Sequence, residues 1–450
     1  MNSFNVAKFG GTSVADFTAM SRCTAIIENN PATKLVVISA CSGVTNILVA
    51  LANGVSDAAS RQELLVQLAE IHNNILAELN DAAETTTRVR EVLDTVASAA
   101  DAASFQVSDK LTDHIVSCGE LMSTHILAQL MRERGIDAVR FDIRDIMRTN
   151  NVHGQASPEL SAISELAKQK LIPLCQDKVV ITQGFIGSDE EGNTTTLGRG
   201  GSDYSAALIA ESVNASGLEI WTDVPGIYTT DPRVAPKATP IPEISFSEAS
   251  EMANFGAKIL HPSTLLPALR QQIPVFVGSS KAPEKGGTWI RQQVESAPLF
   301  RALALRGNQT MVTLRSLNMF HAYGFLAEAF RILAKHKVSV DLITTSEVSV
   351  SLTLDQTNTA GGAPELPVEA REELEKLCSV DIEHGLSLIA LIGNNMSESK
   401  GYAKQVFSTL EEYNLRMICY GASPHNLCFL LHESVARSAV QALHEELFES

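Results

Sequence analysis

The chain has 450 residues, 45% of them hydrophobic and 19% charged, and a formal net charge of −17. Its length and apolar content call for two or three packed domains and exclude global disorder. The acidic balance disfavours nucleic acid and anionic membrane as partners, no apolar run is long enough to span a bilayer, and the N-terminus lacks the basic and apolar regions of a signal peptide.

The first β-branched run, at residues 5–9, carries Lys8 and Phe9 and meets Gly10, Gly11, Thr12 and Ser13. The lysine precedes the glycines, the reverse of a P-loop. Gly10 and Gly11 can offer backbone N–H groups to an anion, a helix is expected from Thr12 or Ser13, and Lys8 supplies a point charge for phosphate oxygens. A strand and turn with a solvated lysine would show the same pattern. A second run, at 35–39, leads through Ala-Cys-Ser-Gly-Val to Thr45 and brings the Ser39 and Thr45 hydroxyls toward one crevice. Residues 60–105 are alanine-rich and read as a helical excursion. Glu120 sits in the helical stretch 117–124, where a solvated glutamate is the plain alternative to a functional one. Further runs at 138–141, 178–185, 218–222 and 274–278 alternate with amphipathic helices. This is the pattern of an α/β fold with a mostly parallel sheet, whose ligands bind beyond the strand C-termini.

The sharpest motif runs from Thr194 to Ser205. Gly198, Gly200 and Gly201 can fold around an anion, Arg199 offers a planar fork for carboxylate or phosphate, and Ser202 or Asp203 is expected to cap the following helix. After the next strand, Thr222, Asp223, a Pro225-Gly226 turn, Tyr228 and Arg233 could serve a nucleotide, Tyr228 by stacking and Arg233 at phosphate. Lys258, followed by Ile259, adds a cation; taken singly, these are ordinary surface residues. The histidines have no metal-ligand spacing and no Ser/His/Asp triad is suggested. The seven scattered cysteines contain no C-x-x-C pair, which fits reduced thiols in a cytoplasm rather than disulfides or zinc. No H-R-D or D-F-G tripeptide occurs, so a protein kinase is excluded.

Residues 281–298 turn to Pro, Gly, Lys and Glu and mark a domain boundary. Beyond it lies an internal repeat. Aligning Gly324 with Gly401 pairs Phe325 with Tyr402, Val340 with Met417, Ser346 with Ser423 and Leu352 with Phe429 without a gap, and each copy reads βαββα. Residues 355–365 form a polar loop with no periodicity.

Lys8–Ser13, Leu197–Asp203 and Trp221–Tyr228 together resemble the aspartate kinases of the amino-acid kinase superfamily, along the whole chain. The repeat resembles that family's paired ACT domains, and the segments 316–326 and 338–347 are most similar to its lysine-sensitive, single-function type. The homoserine dehydrogenase domain of the bifunctional relatives is therefore not expected.

The resemblance implies an amino-acid-kinase fold, an α/β/α sandwich at 1–295. Two ferredoxin-like ACT domains are expected within 299–450, at about 308–383 and 384–450 or one inserted into the other. It implies phosphorylation of the L-aspartate side-chain carboxylate by ATP with Mg²⁺, giving 4-phospho-L-aspartate and ADP, the first step toward lysine, threonine and methionine. In that pattern Lys8 neutralises the transferring phosphoryl group, and Asp203 orients either Lys8 or the substrate ammonium. Arg199 clamps the substrate α-carboxylate, Glu120 binds its ammonium, and Ser39, Thr45, Gly200, Gly201 and Ser202 complete the substrate site. Phe9, Gly10, Gly11, Thr222, Asp223, Tyr228, Arg233, Lys258 and Ile259 hold the nucleotide. The ACT pair implies a dimer, with a tetramer as the larger alternative, and feedback inhibition by L-lysine at Met319, Ala322, Gly324, Phe325, Leu326, Ser339, Val340, Asp341, Ser346 and Glu347. Ala322 departs from the serine of lysine-sensitive relatives, where the loss of one hydrogen bond to the effector is an open expectation, and Ile418 stands opposite Asp341 in the second copy. The competing readings are a kinase for glutamate or acetylglutamate, or an amino-acid-binding protein without catalysis.

Overall fold

The computed structural model describes residues 4–198, 200–256, 262–316, 323–355 and 363–449. They divide into two compact units: Met1–Ile227, Pro240–Phe246 and Ile259–Val294 make the first, and Tyr228–Thr239, Ser247–Lys258 and Glu295–Ser450 the second.

In the first unit β1 (Asn5–Phe9) passes through a short 3₁₀ turn, Gly11–Val14, into α1 (Phe17–Glu28). The expected start at Thr12 or Ser13 is displaced. Asp16 is the cap, its carboxylate accepting from the Ala19 amide at 2.7 Å, while the Ser13 hydroxyl is engaged with Ser280 Oγ at 2.6 Å and cannot cap a helix of its own. β2 (Thr33–Ile38) and α2 (Val44–Ala52) follow. The alanine-rich stretch folds as α3 (Ala58–Leu76) and α4 (Ala83–Phe105), and α5 (Asp109–Glu133) starts at a Ser108 cap and returns to the sheet. Next come β3 (Ala138–Phe141), α6 (Leu160–Leu166), α7 (Ile172–Asp177), β4 (Val179–Gln183) and a small hairpin, β5 (Ile186–Ser188) with β6 (Thr194–Thr196). They are followed by α8 (Gly201–Val213), β7 (Gly217–Thr222), β8 (Glu243–Ser245), α9 (Phe246–Asn254), α10 (Pro262–Arg270), β9 (Val275–Ser279) and β10 (Gly287–Arg291). From Ser247 onward α9 belongs to the second unit.

The sheet order is β3-β4-β2-β1-β7-β9-β10-β8. From β3 to β9 every neighbour is parallel, and β10 turns antiparallel to β9. The inner strands are apolar on consecutive residues because helices cover both faces: Val6, Ala7, Phe9, Val36, Val37 and Ile38 are all buried. Each large side chain fully buried this way contributes about 1.5–3 kcal/mol. The chain departs from β1 toward β2 on one side and later returns as β7 on the other. Connections therefore diverge at the C-terminal end of β1, where such sheets open a ligand crevice.

The second unit runs β11 (Ala302–Arg315), α11 (Phe325–Lys335), β12 (Val340–Thr345), β13 (Ser349–Leu354), α12 (Val368–Leu374), β14 (Ser379–Ile392), α13 (Tyr402–Thr409), β15 (Leu415–Tyr420), β16 (Asn426–His432) and α14 (Glu433–Phe448). This is βαββα twice, in the register expected from the sequence. Gly324 and Gly401 are both left-handed N-caps, at φ +88° and +89°, and β11 and β14 are both 14 residues long. The antiparallel sheet, β12-β13-β11-β14-β16-β15, is symmetric about its two long strands. It serves two cores. Leu303 packs with Ile389, Val406, Phe429 and Leu443; Val312 and Leu314 pack with Ile332, Leu352 and Leu374. β11 crosses from one core to the other at the irregularity between Arg306 and Met311. Among the described residues no helix is long and apolar enough to cross a membrane.

Candidate functional site

β1 sets Lys8 between Val37 of β2 and Ile220 of β7, one residue from the C-terminal edge. It is only 8% exposed, which a solvated lysine would not be. Its ammonium pairs with Asp203 Oδ1 at 2.5 Å. Asp203 stands in the first turn of α8, where the helix dipole favours a carboxylate. Neither Ser202 nor Asp203 caps that helix, contrary to expectation. Gly200, at φ +72°, is the cap residue, and its left-handed backbone starts the helix early enough to put both side chains inside the first turn. Two further glycines let this turn close on the end of β4. A Cβ at Gly184 would lie 2.7 Å from Ser202 Cβ, and one at Gly201 2.6 Å from the Phe185 ring.

Glu120 reaches the same edge from α5. Gly119 beside it has no side chain to hold the helix away: a Cβ there would come within 2.7 Å of Ala40 Cβ. α5 can therefore press on the segment after β2, and the Ala40 amide hydrogen-bonds the Glu120 carboxyl. Glu120 is buried, and its Oε2 has no hydrogen-bond partner among the described residues. Burial pushes the carboxyl up to about 8, against the opposing pull of two backbone amides and the nearby Lys8 charge. A buried carboxylate with one oxygen unmatched is costly by itself, and a ligand cation relieves that cost. Ser39 is fixed alongside, its amide donating to Phe9 O at 3.2 Å and its carbonyl accepting from Ser123 Oγ at 2.9 Å. Thr45 is exposed on the first turn of α2, which begins after Gly43 at φ +83°.

The predicted nucleotide residues divide. Phe9 is fully buried and stacks on Trp221, centroids 6.3 Å apart, so only its backbone faces the edge. The Gly10 amide donates to Trp221 O at 3.2 Å and is thus spent within the fold; the expectation that it cradles phosphate is corrected. Gly11 packs against the Ala40 carbonyl, 3.0 Å from where a Cβ would stand. Thr222 ends β7, its carbonyl accepting from the Ser280 amide at 2.9 Å and its hydroxyl donating to Asp223 Oδ1 at 3.2 Å. Tyr228 and Arg233 belong to the second unit, where Arg233 pairs with Asp231 at 2.7 Å. Arg199, Lys258 and Ile259 lie outside the described residues. Sequence reasoning missed the Ala40 amide and Ser280. Neither carries a local signal; both matter through residues distant in the chain.

Residues 3–279 match the amino acid kinase family and residues 389–447 the ACT domain family. The chain is 55% identical to the lysine-sensitive aspartokinase 3 of Escherichia coli, over the full length of both. It is 35% identical to aspartokinase 1, chloroplastic, of Arabidopsis thaliana, covering 99% of this chain and 80% of that one. The chain belongs to the aspartokinases of the amino acid kinase family. Two crystal structures of E. coli aspartokinase III are similar to it. The complex with aspartate and ADP, in the R-state, gives a TM-score of 0.91 at 55% identity, covering 99% of this chain and 100% of that one. The complex with lysine and aspartate, in the T-state, gives 0.84 at 54% identity, covering 99% of each.

For an aspartokinase, the predicted effector residues belong to the second unit. Gly324 starts α11, with Phe325 half-buried and Leu326 exposed on its first turn. Val340 and Asp341 begin β12, and the Asp341 carboxylate is paired with Arg306. Ser339 Oγ points to Asp355 at 3.5 Å, Ser346 Oγ meets Ser349 Oγ at 2.7 Å, and Glu347 is exposed. Met319 and Ala322 lie outside the described residues.

Proposed function

We propose that the edge formed by Lys8, Asp203 and Glu120 binds L-aspartate beside the γ-phosphate of ATP and that these residues divide the work of an aspartate kinase as follows. The nucleophile is the substrate's own carboxylate, with a reference pKa of about 3.9, so it is ionised without a general base. The barrier is repulsion between that carboxylate and the phosphates, and catalysis is positioning plus positive charge. Lys8 faces the transferring group, and Asp203 holds Lys8 in place. Glu120 takes the substrate ammonium, Arg199 its α-carboxylate, and Ser39, Thr45 and Ser202 its remaining polar atoms. The observation that carries this reading is the buried Glu120 oxygen without a partner, at the same edge as a nearly buried lysine.

Thr222, Asp223 and Ile259, all of the first unit, are assigned to the nucleotide. Among the described residues no three histidine, cysteine or carboxylate groups gather closely enough to hold a metal. Mg²⁺ would be carried on phosphate oxygens, as Mg²⁺ prefers, with Lys8 sharing the phosphate charge. Bound there, the ion would neutralise charge on the leaving phosphates.

The remaining proposals concern regulation. Residues 299–450 act as an ACT pair that dimerises and binds L-lysine near Gly324 and Asp341, in a cytoplasmic enzyme. The test is ATP, Mg²⁺ and L-aspartate with hydroxylamine trapping of the acyl phosphate, with and without L-lysine. Acyl hydroxamate that falls as lysine is added is the expected result. No hydroxamate would overturn the catalytic reading, and production indifferent to lysine would overturn the regulatory one. Hydroxamate from glutamate instead of aspartate would point to the competing acidic-substrate kinase.

A further inference from the structure

Asp113 lies on α5 about two turns before Glu120, on the same helix face. It is 1% exposed and accepts five hydrogen bonds. His153 Nδ1 donates at 2.8 Å, the Gly154 amide reaches both carboxylate oxygens at 3.1 Å, the Thr196 amide donates at 3.2 Å, and the Thr196 hydroxyl at 2.6 Å. One carboxylate thus joins three segments: α5, the loop around His153 and the end of β6. The junction is braced further. The Ala156 amide donates to Thr196 O at 2.9 Å, Thr149 Oγ1 meets Thr195 Oγ1 at 2.6 Å, and the Leu197 amide donates to Phe185 O at 2.9 Å. Gly198, at φ +76°, packs so closely on the loop that a Cβ would stand 3.2 Å from Gly154 O. Arg199 follows directly in the sequence.

We propose that Asp113 and His153 are positioning residues for aspartate recognition. The clamp rests on the reading above, in which Glu120 takes the substrate ammonium and Arg199 its α-carboxylate. Those two groups sit a fixed distance apart on any α-amino acid. α5 carries Glu120 directly, and through Asp113 it holds Thr196, three residues before Arg199 in the sequence. The helix therefore links Glu120 to the segment that ends at Gly198, and His153 closes the contact from the loop side. A buried carboxylate with four donors holds geometry well, because losing one donor leaves an unmatched acceptor in a site that water does not reach. Neither residue touches substrate; both act through the Thr196–Gly198 segment that directly precedes Arg199 in the sequence.

The test is steady-state kinetics on the full chain with His153→Ala, His153→Asn and Asp113→Asn, with Arg199→Ala measured beside them. Asparagine retains a donor near the Nδ1 position; alanine does not. His153→Ala is expected to raise KM for aspartate about tenfold, the scale of one charge-assisted hydrogen bond, with KM for ATP within about twofold of wild type. His153→Asn should restore most of the loss, and Asp113→Asn should match or exceed His153→Ala. If Asp113→Asn does not fold, the two His153 variants decide the matter. Folded His153 variants with unchanged aspartate KM, or with aspartate and ATP KM rising together, overturn the clamp. If Arg199→Ala raises aspartate KM while His153→Ala does not, the clamp fails and the arginine reading stands; if Arg199→Ala leaves it unchanged, the arginine reading itself fails.

Discussion

Two carboxylates of this chain, Glu120 in the implied substrate site and Asp341 in the implied effector site, have different surroundings. Glu120 is buried, holds an amide of the Ser39–Gly43 segment and leaves Oε2 without a partner among the described residues. Asp341 is half-buried and already paired with Arg306, which also donates to Gln309 Oε1 and the Asn254 carbonyl. A ligand ammonium at Glu120 supplies the missing charge partner. At Asp341 it must displace, or share with, a guanidinium already in place. The first arrangement suits a substrate that must be gripped in one pose, and the second suits an effector whose binding is an exchange between two partners.

The largest way to break this comparison lies at the substrate edge. Lys8→Met should lower kcat about a thousandfold or more, the scale of removing a charge aimed at the transition state, with a melting temperature close to wild type. Near-normal turnover would remove Lys8 from the mechanism. Glu120→Gln should raise KM for aspartate about a hundredfold, since the ammonium loses its buried counter-charge, with KM for ATP and the lysine response little changed. A rise in both Michaelis constants would show that Glu120 shapes the crevice rather than one ligand.

The same glutamate makes a stability prediction with a definite sign. Its ordinary value is 4.5, and burial raises it to about 8 in the folded chain. Between those values the folded state binds more protons than the unfolded one, so stability falls as pH rises. Relative to Glu120→Gln, ligand-free wild type should lose melting temperature from about pH 5 to about pH 8 and level off above that window. A difference that stays constant with pH would mean that Glu120 ionises normally.

Smaller effects are expected in the second unit. Asp341→Asn should weaken lysine inhibition about tenfold and leave uninhibited activity intact, and inhibition curves of the two proteins decide it. Ala322→Ser should lower the half-inhibiting lysine concentration by a few-fold, about what one added hydrogen bond contributes. No change would indicate that residue 322 does not face the effector.

The fold was legible where a feature is local. Consecutive apolar residues in Asn5–Phe9 mark a strand covered on both faces, and Gly324 and Gly401 mark two equivalent helix starts. The hairpin of β5 and β6 and the short strands β8 and β10 were not foreseen: β5, β6 and β8 have three residues each, too few for periodicity to show, and β10 lies in the Pro- and Gly-rich stretch 281–298 read as a domain boundary. The site was legible as residue types but not as states. Lys8, Asp203 and Glu120 were named from motifs, yet the burial of Glu120 depends on Gly119 meeting Ala40, a contact made by tertiary packing. The assignment of Gly10 to phosphate failed for the same reason: its amide is taken by Trp221, a strand neighbour far along the chain. Asp113 gave no signal because an aspartate near a helix start usually reads as a dipole partner.

The most direct test of the central claim is calorimetric titration of aspartate into the full chain near pH 7, in two buffers of different ionisation enthalpy. If Glu120 is largely protonated before binding and ionised against the substrate ammonium afterwards, binding releases close to one proton in wild type and none in Glu120→Gln. Tight aspartate binding with no proton release in wild type, and equal affinity in Glu120→Gln, would contradict it.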